Sequence, residues 1–353
     1  MSFERAFLFR LSWSFCATLI ALAGSKAIGE TPPGHSSVHR PPHLSRFWKR
    51  VEQWVKTGQK GRAILALEQR LERHPEEAQL AFRLCEILIP IEETLFSSRL
   101  QSAPAERCER ALLALSASDP SVERTRKEWL RWAQMFSGKL DLALEKLEAE
   151  GLDESTIPFL EKATFWSIRK KDFDTALRSL RLIEKLRPRS ATVLVDLALL
   201  HLVRGESREA TLLLRRALLL DASSREIRHD LAGALAQHAT LSQAEAILVE
   251  LLRGEPSFGL LLELSIVRFE QGNLLGAREA AREAGRLAPP GEALPWLILG
   301  DIERRLGNPR AARAAYEEAL RRDPNSIRAR RSLESLAHSS DMEAGAWAPG
   351  ASP

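Results

Sequence analysis

From residue 44 onward, apolar side chains recur every three to four residues in blocks of 12 to 16, each block broken by turn residues. That is the period of one buried face of an α-helix. One spacing rule orders the blocks. A turn residue, often Gly, stands five positions before a small residue, which stands twelve before a boundary residue, often Pro. Gly58, Ala63 and Pro75 follow it, as do Gly138, Ala143 and Ser155, then Lys171, Ala176 and Pro188, then Gly205, Ala210 and Ala222. Ala239, Ala244 and Pro256 continue the series, then Gly272, Ala277 and Pro289, and Gly307, Ala312 and Pro324; Cys108 stands twelve before Pro120 in an outlying copy. Successive small residues are separated by 45, 35, 33, 34, 34, 33 and 35 positions. A period near 34 is the signature of a helix–turn–helix array. The pattern predicts sixteen helices joined by short turns and a terminal helix over Ser326 to His338.

Each position in the rule has a physical reason. Gly closes the first helix because it enters the left-handed region without a Cβ penalty. The small residue lets two antiparallel helices approach, where a large side chain would wedge them apart. Pro, lacking an N–H, stops one helix and suits the first turn of the next. Asp119 and Asp323, each before a Pro, are expected to cap the helix that follows.

The last full copy reads Trp296, Leu299 and Gly300, then Gly307, Ala312, Tyr316, Ala319 and Asp323-Pro324. It resembles the tetratricopeptide repeat, W-x2-L-G ahead of A-x3-F/Y-x2-A and a closing Pro. Glu303 departs from the family, which usually carries an aromatic there. Earlier copies are more degenerate but keep small residues at the place of Gly300: Ser265, Ala232, Ala198 and Thr164. The resemblance covers roughly 44–338, and a pentatricopeptide or Sel1-like variant is the neighbouring alternative. It implies an all-α fold: a right-handed superhelical solenoid of about eight repeats with a C-terminal capping helix.

Outside the array the chain changes character. Arg5 and Arg10 precede fifteen uncharged residues, Leu11 to Ser25, followed by the small-residue sites Ala21-Leu22-Ala23 and Ser25-Lys26-Ala27. This reads as a secretory signal over 1–27, with a mature start at Gly24 or Ile28. Fifteen residues fall short of the roughly 20 that a membrane crossing needs. An exported, periplasmic or secreted chain is expected, with an uncleaved inner-membrane anchor as the runner-up. Residues 28–43 read as a Pro-rich linker, and the spacing of His35, His39 and His43 is that of a solvated tail rather than a metal site. Residues 339–353, rich in Gly, Ala, Ser and Pro, read as a disordered tail. An insertion near 90–103 separates the helices carrying Cys85 and Cys108. It reads as an extended helix and loop, or as a lid. Export permits a disulfide between those cysteines, but spacing does not reveal geometry, so two buried free thiols are the expected state.

The net charge of +4 and pI near 9.1 invite a nucleic-acid reading. The first 27 residues carry +2 of that charge, which leaves +2 on the rest, interleaved as Arg and Glu along helices. That is a solvated helix face rather than a polyanion footprint. The sequence holds no His-Glu-x-x-His, Gly-x-Ser-x-Gly, Gly-Lys-Ser/Thr or Cys-x2-Cys motif, and its eight histidines are dispersed. No cofactor, no metal and no catalysis are expected.

In the resembled family the first helix of each repeat lines an inner wall that receives peptides of partner proteins. On that wall the sequence offers Val195, Leu199 and Leu202, then Leu262, Ile266 and Phe269, and finally Asp301, Arg304 and Arg305, suited to orienting a charged ligand end. Helices apolar on all sides are also what a wall that buries itself would show, so an open groove and a self-buried wall both stand. The expected function is a scaffold binding proteins or peptides in the cell envelope, assisting secretion, envelope or polysaccharide machinery. A single-stranded nucleic-acid reader and a non-catalytic subunit of an envelope enzyme are the alternatives. No membrane insertion is expected after signal cleavage, and the oligomeric state is not legible.

Overall fold

A computed structural model describes residues 45–89, 102–115, 119–254 and 256–345. The signal segment, the linker, positions 90–101 of the insertion and positions 346–353 of the tail lie outside the described residues. Among the described residues every regular element is helical: α1 Ser45–Lys56, α2 Lys60–Arg73, α3 Ala78–Leu88, α4 Ser102–Ala114, α5 Pro120–Phe136 and α6 Leu140–Glu150. A 3₁₀ turn, Glu154–Thr156, leads to α7 Ile157–Arg169, α8 Phe173–Leu186 and α9 Ala191–Val203. Then follow α10 Ser207–Leu220, α11 Arg225–Gln237, α12 Leu241–Gly254, α13 Phe258–Glu270, α14 Leu274–Leu287, α15 Leu294–Arg305, α16 Pro309–Arg322 and α17 Ile327–Gly345. The chain divides into two units, one ending at Val203 and the other beginning at Arg204. Within each unit most helices adjacent in the chain pack on one another as an all-α helix–turn–helix stack. No helix among the described residues is long and apolar enough to cross a membrane.

All seven turn positions of the spacing rule take positive φ. Gly58, Gly138, Gly205, Gly272 and Gly307 lie between 75° and 85°, and Lys171 and Ala239 at 60° and 59°. The left-handed residue turns the next N–H back onto the helix just finished. Asn273 N donates to the Arg268 carbonyl at 2.9 Å, and Thr240 N to the Leu235 carbonyl at 2.9 Å. Carbonyls that the helix end would orphan are thereby satisfied.

The small residues do what the rule requires. Ala63, Cys108, Ala143, Ala176, Ala210, Ala244, Ala277 and Ala312 are all 0% exposed. In the last copy a Cβ built on Gly300 would lie 2.3 Å from Cε1 of Tyr316, so this crossing is as close as the side chains allow.

The boundary residues act one step earlier than expected. Pro75, Pro188, Pro256, Pro289 and Pro324 each stand two positions beyond the end of a second helix, as does Ala222. They stop a helix rather than start one. Pro120 is the exception, opening α5 behind Asp119, whose carboxylate accepts from Ser121 N at 2.8 Å. Asp323 does not cap a helix start. It accepts from Asn325 N at 3.0 Å, within the link, and Ser326 takes the capping role by accepting from Ala329 N at 3.4 Å. Ser190, Ser224 and Ser257 do the same for Val193, Ile227 and Leu260. The terminal helix runs on to Gly345, into the segment read as tail.

Two buried polar sites need separate accounts. Glu303 is 2% exposed and meets Nη2 of Arg282 at 2.9 Å and Nδ2 of Asn308 at 3.0 Å. The family's aromatic is thus replaced by a carboxylate paired to the preceding helix pair, which a buried charge requires. Cys85 and Cys108 are joined, with an S–S distance of 2.08 Å and Cα atoms 4.9 Å apart. This overturns the expectation of two free thiols. Cys108 holds the small-residue position of its copy, so the close approach of helices that this position serves also brings the two sulfurs within bonding distance.

Candidate protein-binding site

In the C-terminal unit the first helices of successive pairs are α11, α13 and α15, and two contacts tie them side by side. His229 Nε2 on α11 lies 2.8 Å from Glu263 Oε2 on α13. The Arg305 guanidinium on α15 lies over the Phe269 ring on α13, 4.9 Å from its centroid. Residues 229 and 263 are 34 apart, one repeat period, so the pairing joins neighbouring positions of adjacent copies. No motif in the sequence marks His229 or Glu263; the repeat period is the signal that links them.

The apolar candidates lie mostly inside the helix stacks. Leu262 and Phe269 are 1% and 7% exposed, and only Ile266 on the same helix is half-buried. On α9, in the N-terminal unit, Leu199 and Leu202 are 8% and 1% exposed and Val195 is half-buried. Helices apolar on every side are here buried on nearly every side, as self-burial of the wall requires.

The charged candidates divide. Asp301 has both oxygens engaged: Oδ1 accepts from the Tyr316 hydroxyl at 2.6 Å and Oδ2 from Arg328 Nη2 at 2.6 Å. It ties α15 to the terminal helix. Burial, with the Asp301 carboxylate beside it, holds the Tyr316 hydroxyl well above its ordinary ionisation range. Arg304 donates to the same hydroxyl, and both Arg304 and Arg305 are exposed. His229 is open as well, with 44% of its side chain accessible. Among the candidates and their neighbour His229, the side chains still accessible on this wall are His229, the half-buried Ile266, Arg304 and Arg305: an imidazole and two guanidinium groups around one aliphatic side chain.

Next to His229 on α11, burial pushes the Asp230 carboxyl up to about 6, with Glu263 and Glu226 adding to the effect and His229 opposing it. Among the described residues no group of three or more His, Cys, Asp or Glu side chains is placed to hold a metal.

The repeated turn, small residue and closely crossed pair define an all-α helix–turn–helix repeat protein. Residues 293–334 match the tetratricopeptide repeat family. Among solved structures, the chain is similar to MamA from Desulfovibrio magneticus, with 15% identity over 50% of this chain and 99% of that one and a TM-score of 0.46. It is similar to YrrB, described as a TPR protein with an unusual peptide-binding site, at 18% identity over 54% and 98% with a TM-score of 0.43. A tetratricopeptide repeat protein from Parabacteroides merdae aligns at 17% identity over 72% and 99%, with a TM-score of 0.42. No curated protein sequence matches the chain.

Proposed function

We propose that the chain is an exported, non-catalytic scaffold of the cell envelope that holds a partner protein or peptide against the α11–α13–α15 wall. One observation carries this reading. Where the apolar side chains of α13 turn inward, His229, Ile266, Arg304 and Arg305 stay accessible across three helices joined by direct contacts. Arg305 presents its charge on the face of Phe269, leaving its N–H edges for an acceptor. Such a wall fits a partner segment with a carboxylate next to an apolar residue. The basic start, apolar stretch and small-residue sites of the first 27 residues support export, and so does the Cys85–Cys108 bond, since such bonds persist in oxidising compartments. A part in assembling secretion, envelope or polysaccharide machinery follows from that address.

Two variants of the purified chain test the surface. Arg305→Glu removes the exposed charge and is predicted to weaken partner binding about tenfold or more, while the melting temperature stays within a few degrees, as surface changes do. Leu262→Ser with Phe269→Ser empties the interior and is predicted to lower the melting temperature sharply, since large-to-small core changes typically cost about 2–5 kcal/mol each. Binding unchanged by Arg305→Glu, together with binding lost in a serine variant that melts normally, would move the site to an open apolar groove.

A further inference from the structure

The Cys85–Cys108 bond lies in the N-terminal unit and plays no part in the wall described above. Two features set its helix pair apart. In the seven other pairs three residues separate the first helix from the second, as at Thr57 to Gln59 or Gln271 to Asn273. Between α3 and α4 there are thirteen, positions 89–101. The small-residue position is Ala in the seven other copies and Cys only here. The one pair whose helices stand thirteen residues apart in sequence is thus the one pair joined covalently. Closing a longer connection costs more chain entropy, and a cross-link removes that cost from the unfolded state.

Both cysteines are 0% exposed, within a core that includes Leu84, Leu88, Ala105 and Leu112. Neither a protein oxidant nor a small thiol reaches these sulfurs once α3 and α4 have packed.

We propose that this bond takes the place of the tight turn as the closure of the α3–α4 hairpin, and that a thiol–disulfide oxidoreductase installs it during folding. It is a permanent staple, not a switch. One cysteine thiolate attacks the oxidant's disulfide and displaces one oxidant thiolate, giving a mixed disulfide. The second cysteine thiolate attacks the chain's own sulfur in that intermediate and releases the other oxidant thiolate. The chain gives up two protons and two electrons, and the oxidant leaves as its dithiol. This inference stands apart from the partner-binding reading and fails or holds without it.

The test uses the full chain recovered from the cell envelope, labelled with a maleimide and mapped by peptide mass. Unfolded without reductant, Cys85 and Cys108 are predicted to remain unlabelled. Folded with dithiothreitol they are predicted to stay protected, and unfolded with dithiothreitol both should label. Free thiols in the first sample, or labelling of the folded chain as fast as of the unfolded one, overturn the staple. Hydrogen exchange on the Cys85→Ala, Cys108→Ala double variant then tests the closure. Alanine is the residue of every other copy at the small position, so the pair should still pack. For a sequence separation of 23, removing the cross-link is predicted to speed local opening of α3 and α4 by about 300-fold. Unchanged exchange there shows that the turn needs no closure. In cells lacking a disulfide-donating oxidoreductase the chain should accumulate with both thiols free, and a normal rate of bond formation removes the oxidant from the account.

Discussion

At Lys171 and Ala239 the backbone stands at φ 60° and 59°, in a region where a Cβ crowds the following carbonyl. Gly fills that place at Gly58, Gly138, Gly205, Gly272 and Gly307. Lys171→Gly and Ala239→Gly each relieve roughly 1–2 kcal/mol of crowding and give back about 0.4–1 kcal/mol as unfolded-chain entropy. Each is predicted to stabilise its unit by about 0.5–1 kcal/mol, read from urea unfolding, whereas Gly272→Ala should lose a similar amount. A loss at Lys171 or Ala239 would mean that those side chains have contacts worth more than the strain. Asp230 offers a second test. Unfolded, its carboxyl ionises near its ordinary value of about 4; folded, burial raises it to about 6. Between those values the folded chain holds the proton that the unfolded chain has released, so stability falls as pH rises through the window. Asp230→Asn is predicted to gain up to about 3 kcal/mol at pH 7 and nothing below about pH 4. Unfolding midpoints at the two pH values decide it, and an equal gain at both would trace the effect to packing.

Between elements the fold rests on the crossings at the small residues. Ala312 packs with Leu297, Tyr316, Ala319, Ala329 and Leu336 where α15, α16 and α17 meet. Ala312→Arg is predicted to cost more than the roughly 1–3 kcal/mol of simple overpacking, because it also buries a charge. In a repeat array each pair leans on its neighbours, so hydrogen exchange should show α15 to α17 losing protection first while α1 to α4 keep theirs. Even loss across the chain would contradict nearest-neighbour coupling. These elements were legible because spacing alone determines them: a turn residue five before a small residue is a local geometric demand. Lys171 and Ala239 were found at turns by position although their residue types argue against it. Ser190, Ser224, Ser257 and Ser326 cap helices without being marked by the spacing rule, which falls on Pro188, Ala222, Pro256 and Pro324 just before them, residues that only end the preceding helix. The disulfide was not legible, since nothing in a sequence separation of 23 states that two Cα atoms stand 4.9 Å apart.

At the scale of the molecule, the candidate wall residues divide by burial, with Leu199, Leu202, Leu262 and Phe269 covered and Ile266, Arg304 and Arg305 less so. Val195 to Leu202 and Leu262 to Phe269 repeat at helical spacing with little polar face to orient them, so the sequence does not say which side is covered. Neighbouring helices cover nearly all of it, a tertiary effect that no single helix records. Asp301 looked available because its partners, Tyr316 and Arg328, sit on two later helices. What stays open is a mixed surface of His229, Ile266, Arg304 and Arg305, and the scaffold reading stands on it. The most direct test places a photo-crosslinking amino acid at Ile266, and at Leu219 on α10 as an exposed control, and irradiates cells producing the full chain. The account predicts a discrete adduct from position 266 that disappears in the Arg305→Glu background, with none from position 219. Adducts from 219 and none from 266 would contradict it.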